Sequence, residues 1–299
     1  MIVVGLMGGL GNQLFQYAAG RRLSLILDTE LRLDLSFLHQ RNVPGLTYRP
    51  YLLDAFNIEG RPIEGEELEA FLAKGTSGWK LTLNDLAMKT VGHHPFRNRR
   101  KFVERDRNFE PEVLALPDDR YLNGYFQSER YFQDIRGTLL KELSIKMDMD
   151  QKNREMAMRI GENVSVGIHV RRGDYYSNPN AKAVHAVDLS DYYRRAVPFI
   201  KERVGNCHFF VFSDEPEWAM DNLDLGKECT VVDVNTPEQP VQDLRLMSLC
   251  QHFIIANSSF SWWGAWLSQN PDKIIIAPKR WFLDDRNVKD RCPEEWIRI

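Results

Sequence analysis

Five short apolar runs punctuate the second half of the chain, at residues 164–170, 207–213, 229–234, 252–256 and 273–278. Helix-like stretches separate them: 190–204, a short segment from Pro216, "PVQDLRLMSLC" and "NSSFSWWGAWL". Strands alternating with helices at this spacing mean βαβ units on a parallel sheet. The chain also opens this way. An apolar strand over residues 2–6 meets the glycines Gly8, Gly9 and Gly11. "NQLFQYAAGRRLSLIL" follows, with Leu14, Ala18 and Leu25 at helical spacing, and residues 30–38 alternate as a second strand. The expectation is α/β, with two Rossmann-like halves whose parallel sheets face a central cleft: residues 1–150 and 151–299, divided within the polar stretch "KMDMDQKNRE" (146–155). Residues 39–120 predict only loops, short strands and a helix near 64–74. Ser128 is expected to cap a helix over "ERYFQDIRGTLLKEL", and Ser190 to cap 190–204, where Pro198 should kink the helix or delay its start.

Composition narrows the function classes. A chain of 299 residues can bury a substantial core without staples. Its formal charge of −3 lacks the basic excess of a nucleic-acid binder. Cys207, Cys229, Cys250 and Cys292 show no metal or redox spacing and predict reduced thiols. No basic leader or apolar run of membrane-spanning length is present, so the expected location is cytoplasmic, at most peripheral to a membrane.

Open parallel sheets bind ligands beyond the carboxyl ends of their strands. One run, 164–170, passes straight into "HVRRGDYY". On a strand alternate residues share a face, so His169 and Arg171 should point one way and Arg172 the other. A guanidinium grips phosphate oxygens bidentately and keeps its charge at any working pH. Arg171 with His169 therefore suits a diphosphate, whereas Arg172 should form a rim salt bridge with Asp174. "NSSFS" opens another helix, and its serines and helix dipole favour an anion, although Ser258 also fits an ordinary cap with Trp262, Trp263 and Trp266 in the core. "GLMGGLGNQ" is neither G-x-G-x-x-G nor a P-loop. Asn12 and Gln13 at that helix start suit hydroxyls, and Asp34 could stand in for a ribose-binding acid. No metal motif is present, and the adjacent carboxylates of Asp284 and Asp285 should diverge.

"GGLGNQLFQYA", "HVRRGDY", "VFSD" and "SSFSWWGAWL" together resemble the bacterial α-1,2-fucosyltransferases of glycosyltransferase family 11. The resemblance spans nearly the whole chain. It implies a GT-B-type fold, GDP-β-L-fucose as co-substrate, inversion at the anomeric carbon and no metal or other cofactor. It also implies an acceptor hydroxyl on an oligosaccharide or lipid-linked glycan, with O2 of a terminal galactose expected. Arg171 would hold the β-phosphate, His169 contact the nucleotide, Asp243 read guanine, and Ser258 and Ser259 bind phosphate. Gly11 would lie beside the donor, with Asn12 near the reaction centre. The donor set extends to Gly9, Leu10, Arg172, Ser213, Asp214 and Phe260. Arg171, Asn12 and Asp174 form the expected catalytic group, with Asp174 or Asp34 as candidate bases.

Two other classes compete. A nicotinamide-dependent oxidoreductase explains the N-terminal turn but leaves "HVRRGD" and the serine turn idle. A non-catalytic sugar-binding protein explains the tryptophans but not the paired arginines.

Overall fold

A computed structural model describes residues 1–41, 47–74, 100–105, 107–284, 286 and 288–299. Most of "RNVPG" and of "HHPFRNRRKF", all of "GTSGW" and the Asp285 half of the acidic pair lie outside the described residues.

Two parallel sheets carry the chain. The first runs β3-β2-β1-β5-β4, from β1 (Ile2–Gly5), β2 (Leu31–Asp34), β3 (Arg61–Ile63), β4 (Lys101–Val103) and β5 (Arg120–Asn123). The second runs β11-β10-β9-β6-β7-β8, from β6 (Ser165–Val170), β7 (His208–Ser213), β8 (Cys229–Val231), β9 (His252–Ile254), β10 (Ile275–Ala277) and β11 (Ile297–Arg298). From β6 the chain winds outward to β8, then returns to the other side of β6 for β9. The strand order therefore reverses between β6 and β9, which is where an open parallel sheet leaves a crevice. In the first sheet the reversal falls between β1 and β5. Central strands need apolar residues on both faces, and all six residues of β6 are buried accordingly.

The halves meet along α1 (Leu10–Ile26) and α10 (Ser259–Leu267), the helices that follow β1 and β9. Phe15 lies 4.5 Å from Trp262 and 5.1 Å from Trp263, while Phe132 stacks on Trp263 at 5.5 Å. All three tryptophans of "SSFSWWGAWL" are buried, so none offers an exposed platform to a sugar. The chain leaves the first half near Lys146, whose N–H bonds Ala55 O. Asp150 then caps α4 (Gln151–Gly161) by accepting from Asn153 N.

Several local expectations give way to tertiary constraints. The second strand stops at Asp34, whose carboxylate accepts Ser36 N–H at 2.9 Å in an Asx-type turn. After Ser128 come two single 3₁₀ turns, and α3 begins only at Arg136 (Arg136–Glu142). Phe132 interrupts the helix at φ −151°, held there by complete burial against Trp263. Ser190 is the first residue of α7 (Ser190–Val204) rather than its cap, and Asp188 accepts both its N–H and its hydroxyl. Pro198 sits inside that helix without delaying it. The helix over Gly65–Ala73 (α2) agrees with the reading near 64–74. Two short helices beyond β6, α5 (Gly173–Ser177) and α6 (Pro179–His185), were not expected. The outer helices of the second half are α8 (Pro216–Asn222) and α9 (Pro240–Ser248).

Candidate active site

The carboxyl ends of β6, β7 and β9 open together at the reversal. His169 is the second-last residue of β6, and Arg171 stands just beyond the strand. Arg171 Nη2 lies 2.6 Å from Asp174 Oδ1, and Nη1 lies 3.0 Å from Asp214 Oδ2. Burial works against its charge, but Asp214 and Asp174 outweigh that and hold the guanidinium more firmly protonated. Arg172 turns elsewhere. Its Nε pairs with Glu215 at 2.9 Å, and its guanidinium lies 4.1 Å from the Trp218 ring and 4.2 Å from that of Tyr176. The expected Arg172–Asp174 bridge does not form. Strand alternation ends at Val170, and the first turn of α5 brings Asp174 under Arg171, three residues away.

His169 is 5% exposed, and its Nδ1 has no partner among the described residues. Burial and then the charge of Arg171 push its pKa down to about 3, so the ring is neutral at ordinary pH. It lies 5.4 Å from Phe260 at the start of α10. Ser258 caps that helix, its Oγ accepting Phe260 N–H at 3.3 Å. Ser261 bonds back to Ser258 O and is fully buried, whereas Ser259 is partly exposed. Ser213 ends β7 and accepts Glu215 N–H, and Asp214 also accepts Arg172 N–H.

The glycine turn joins this cluster from the other half. Gly8 has φ +77°, a conformation that favours glycine. A Cβ on Gly11 would stand 2.5 Å from Ser259 O and 2.6 Å from Phe260 N. The missing side chain at Gly11 thus lets two helix starts touch. Leu10 beside it is buried, and Gly9 forms the N-cap of α1. Gln13, read from sequence as a hydroxyl binder, is fully buried and structural: it donates to Gly8 O and Pro50 O and accepts from Leu52 N. Asn12 is half-exposed and accepts from Gln127 Nε2 at 2.6 Å.

Two expected residues lie apart from this cluster. Asp243, on α9, accepts from Asn235 Nδ2 at 2.8 Å, and Asn235 exchanges bonds with Asn153 of α4. Burial raises the pKa of Asp243 despite that donor. Asp34 is buried in the first sheet, bonded to Tyr121 OH and Ser36 N.

Other residues had no sequence signal. Arg49 reaches across from the first half to the second oxygen of Asp174. Arg291 is 3% exposed and bonds Gln127, with its Nε and Nη2 unpartnered among the described residues; burial lowers its pKa to about 10. Glu104 accepts from Tyr125 N and Phe126 N, and burial lifts its pKa to about 7. Single charged residues in irregular segments carry no periodicity to mark them. Among the described residues no cluster of potential metal ligands appears, and no helix is long and apolar enough to cross a membrane.

Comparison with known proteins extends this geometry. Residues 100–299 match the model of "Glycosyl transferase family 11". An alpha-1,2-colitosyltransferase of Escherichia coli is 32% identical, covering 100% of this chain and 99% of the relative. The O-antigen biosynthesis glycosyltransferase WbnK, also of Escherichia coli, is 31% identical over 98% of this chain and 99% of the relative. A galactoside alpha-(1,2)-fucosyltransferase 1 from Alouatta caraya is 27% identical over 74% of this chain and 63% of the relative. Among solved structures, the fucosyltransferase NodZ from Bradyrhizobium aligns with 88% of this chain and 92% of its own at 12% identity and a TM-score of 0.49, too distant to add to the strand orders. The oxidoreductase and sugar-binding readings fall away. Two Rossmann-like sheets in GT-B arrangement, four sequence blocks spread along the chain and a full-length relative at 32% identity agree, and the chain belongs to glycosyl transferase family 11, a glycosyltransferase of its fucosyl- and colitosyltransferase group.

Proposed function

We propose that the enzyme transfers L-fucose from GDP-β-L-fucose, with inversion, to O2 of a terminal galactose on an oligosaccharide or lipid-linked glycan. The carrying observation is Arg171 at the reversal of the second sheet, between two carboxylates and close to a serine-capped helix start. As the glycosidic bond breaks, the pair of electrons leaves with the β-phosphate oxygen. A preorganised guanidinium stabilises that growing charge more than the ground state. The neutral imidazole of His169, whose Nδ1 has no partner among the described residues, would bond the nucleotide without adding charge. Ser259 and the N–H groups of α10 would meet a phosphate oxygen. Asp243 would take the guanine edge. The sugar, oxocarbenium-like at the transition state, would receive the acceptor oxygen from the side of Asn12, on the face away from the diphosphate. A lipid-linked acceptor would bring the protein to the inner face of a bacterial membrane.

A second donor has its own support. The relative that matches along the whole chain is named for colitose, which is fucose without its 3-hydroxyl. GDP-fucose and GDP-colitose offered in competition with galactose-terminated acceptors separate the two, with product linkage read by NMR. We expect an α-1,2 product, formed equally well with EDTA present. A β-linked product, or release of GDP from neither donor, sinks the proposal.

A further inference from the structure

The strongest cross-cleft feature is a carboxylate shared by two arginines. Asp174 gives one oxygen to Arg171 from the second half and the other to Arg49 from the first. Arg49 is held firmly. Gln13 bonds the backbone on both sides of Tyr51, at Pro50 O and Leu52 N, and also bonds Gly8 O, so the glycine turn and the Arg49 segment form one unit. The Arg49 stem passes over the start of α1, where a Cβ on Gly9 would meet its Cδ and Nε at 3.9 Å. A second tie joins the same segments, from Asn178 Nδ2 to Thr47 Oγ1 at 3.2 Å.

Two guanidiniums thus converge on one small anion, and one of them, Arg49, passes beside the start of a 17-residue helix. A carboxylate with one oxygen on each arginine has the shape of a phosphate edge. We infer that Arg49 is a second phosphate-binding residue, gripping the donor's diphosphate from the first half, and that the diphosphate takes over the two bonds made by Asp174. This rests on the GDP-sugar reading above. It follows that the leaving group is clamped by both halves, and that Asp174, by re-pairing with the arginines, helps GDP depart.

Calorimetric titration of the full chain with GDP and with guanosine tests this, using Arg49→Ala, Arg49→Gln and Asp174→Asn, each checked for folding by circular dichroism. A bond to a charged group amounts to roughly 1.5–3 kcal/mol, so Arg49→Ala should weaken GDP by about 10-fold or more and leave guanosine unchanged. Arg49→Gln should show the same selectivity, and it serves if the alanine variant fails to fold. Asp174→Asn should tighten GDP and slow its release in stopped flow. If GDP affinity is unchanged in both folded Arg49 variants, or falls in parallel with guanosine, the inference is overturned while the donor reading stands. Weaker GDP binding by Asp174→Asn overturns the exchange, since Asp174 would then be holding Arg171 in place. A wild-type protein that takes up no GDP overturns both readings.

Discussion

The two halves share a topology and use it differently. Each has a parallel sheet whose order reverses beside its first strand, and each sends a tight turn into a helix there. In the first half the turn is occupied by the protein itself. Gly11 touches the backbone of the opposite turn, and Gln13 and Gln16 spend their amides on Gly8, Pro50, Leu52, Met7 and Gly124. In the second half the same place holds an imidazole nitrogen without a partner among the described residues, a guanidinium balanced by two carboxylates and a partly exposed serine. The lesson is that a switch point permits a ligand site without requiring one. Polar groups already satisfied by their neighbours make a joint, and groups left in reserve make a binding mouth.

Arg171→Ala should break this contrast most visibly. By analogy with loss of one preorganised donor, turnover should fall at least about 10²-fold, with less effect on donor KM. Lysine should restore little, because an ammonium cannot span Asp174 and Asp214 in the same plane. Arg172→Ala should retain more turnover but melt earlier, losing Glu215, Trp218 and Tyr176 together. Steady-state kinetics with thermal melts decides, and exchanged phenotypes would reverse the roles assigned to the two arginines.

Gly11→Ala probes the joint. The new methyl meets backbone rather than a flexible side chain, so a loss of roughly 1–3 kcal/mol is expected from overpacking. Denaturant midpoints measure it. Unchanged stability with poorer donor binding would return Gly11 to the ligand.

Gln13→Ala should be of similar or smaller size. It leaves Leu52 N and two carbonyls without this partner, at about 1–3 kcal/mol for groups that stay buried. Loss of stability with guanosine affinity preserved would support a strut. Normal stability would mean that water replaces it.

A pH series separates the halves as well. The pKa of His169 is depressed in the fold, so its contribution is present above about 6.5 and lost as pH falls towards 3. Glu104 in the first half is raised, so its contribution is present below about 4.5 and lost as pH rises through about 7. Melting temperatures followed from pH 4 to 8 should therefore lose part of their acid-side decline in His169→Gln. They should lose part of their alkaline-side decline in Glu104→Gln. Identical pH profiles in all three proteins would show that neither group is titrating as described.

Alternating apolar runs and helical stretches were enough, by themselves, to determine the α/β class. Strands buried on both faces must be continuously apolar, and βαβ connections must be helical in length. The blocks "HVRRGDY" and "SSFSWWGAWL" likewise put His169 and Arg171 at a strand end and Ser258 at a helix start, because short-range order suffices for that. Residues whose role depends on distant partners were decided only by the tertiary structure. Phe132 ends a helix because Trp263 lies beneath it, and Gln13 became a strut because residues 50–52 fold back onto α1. Arg49 entered the site through a carboxylate 125 positions away, across the cleft. Local pattern encodes which faces are apolar. Which satisfied or unsatisfied polar group ends up facing which depends on how two sheets are packed, and no periodicity in the chain records that.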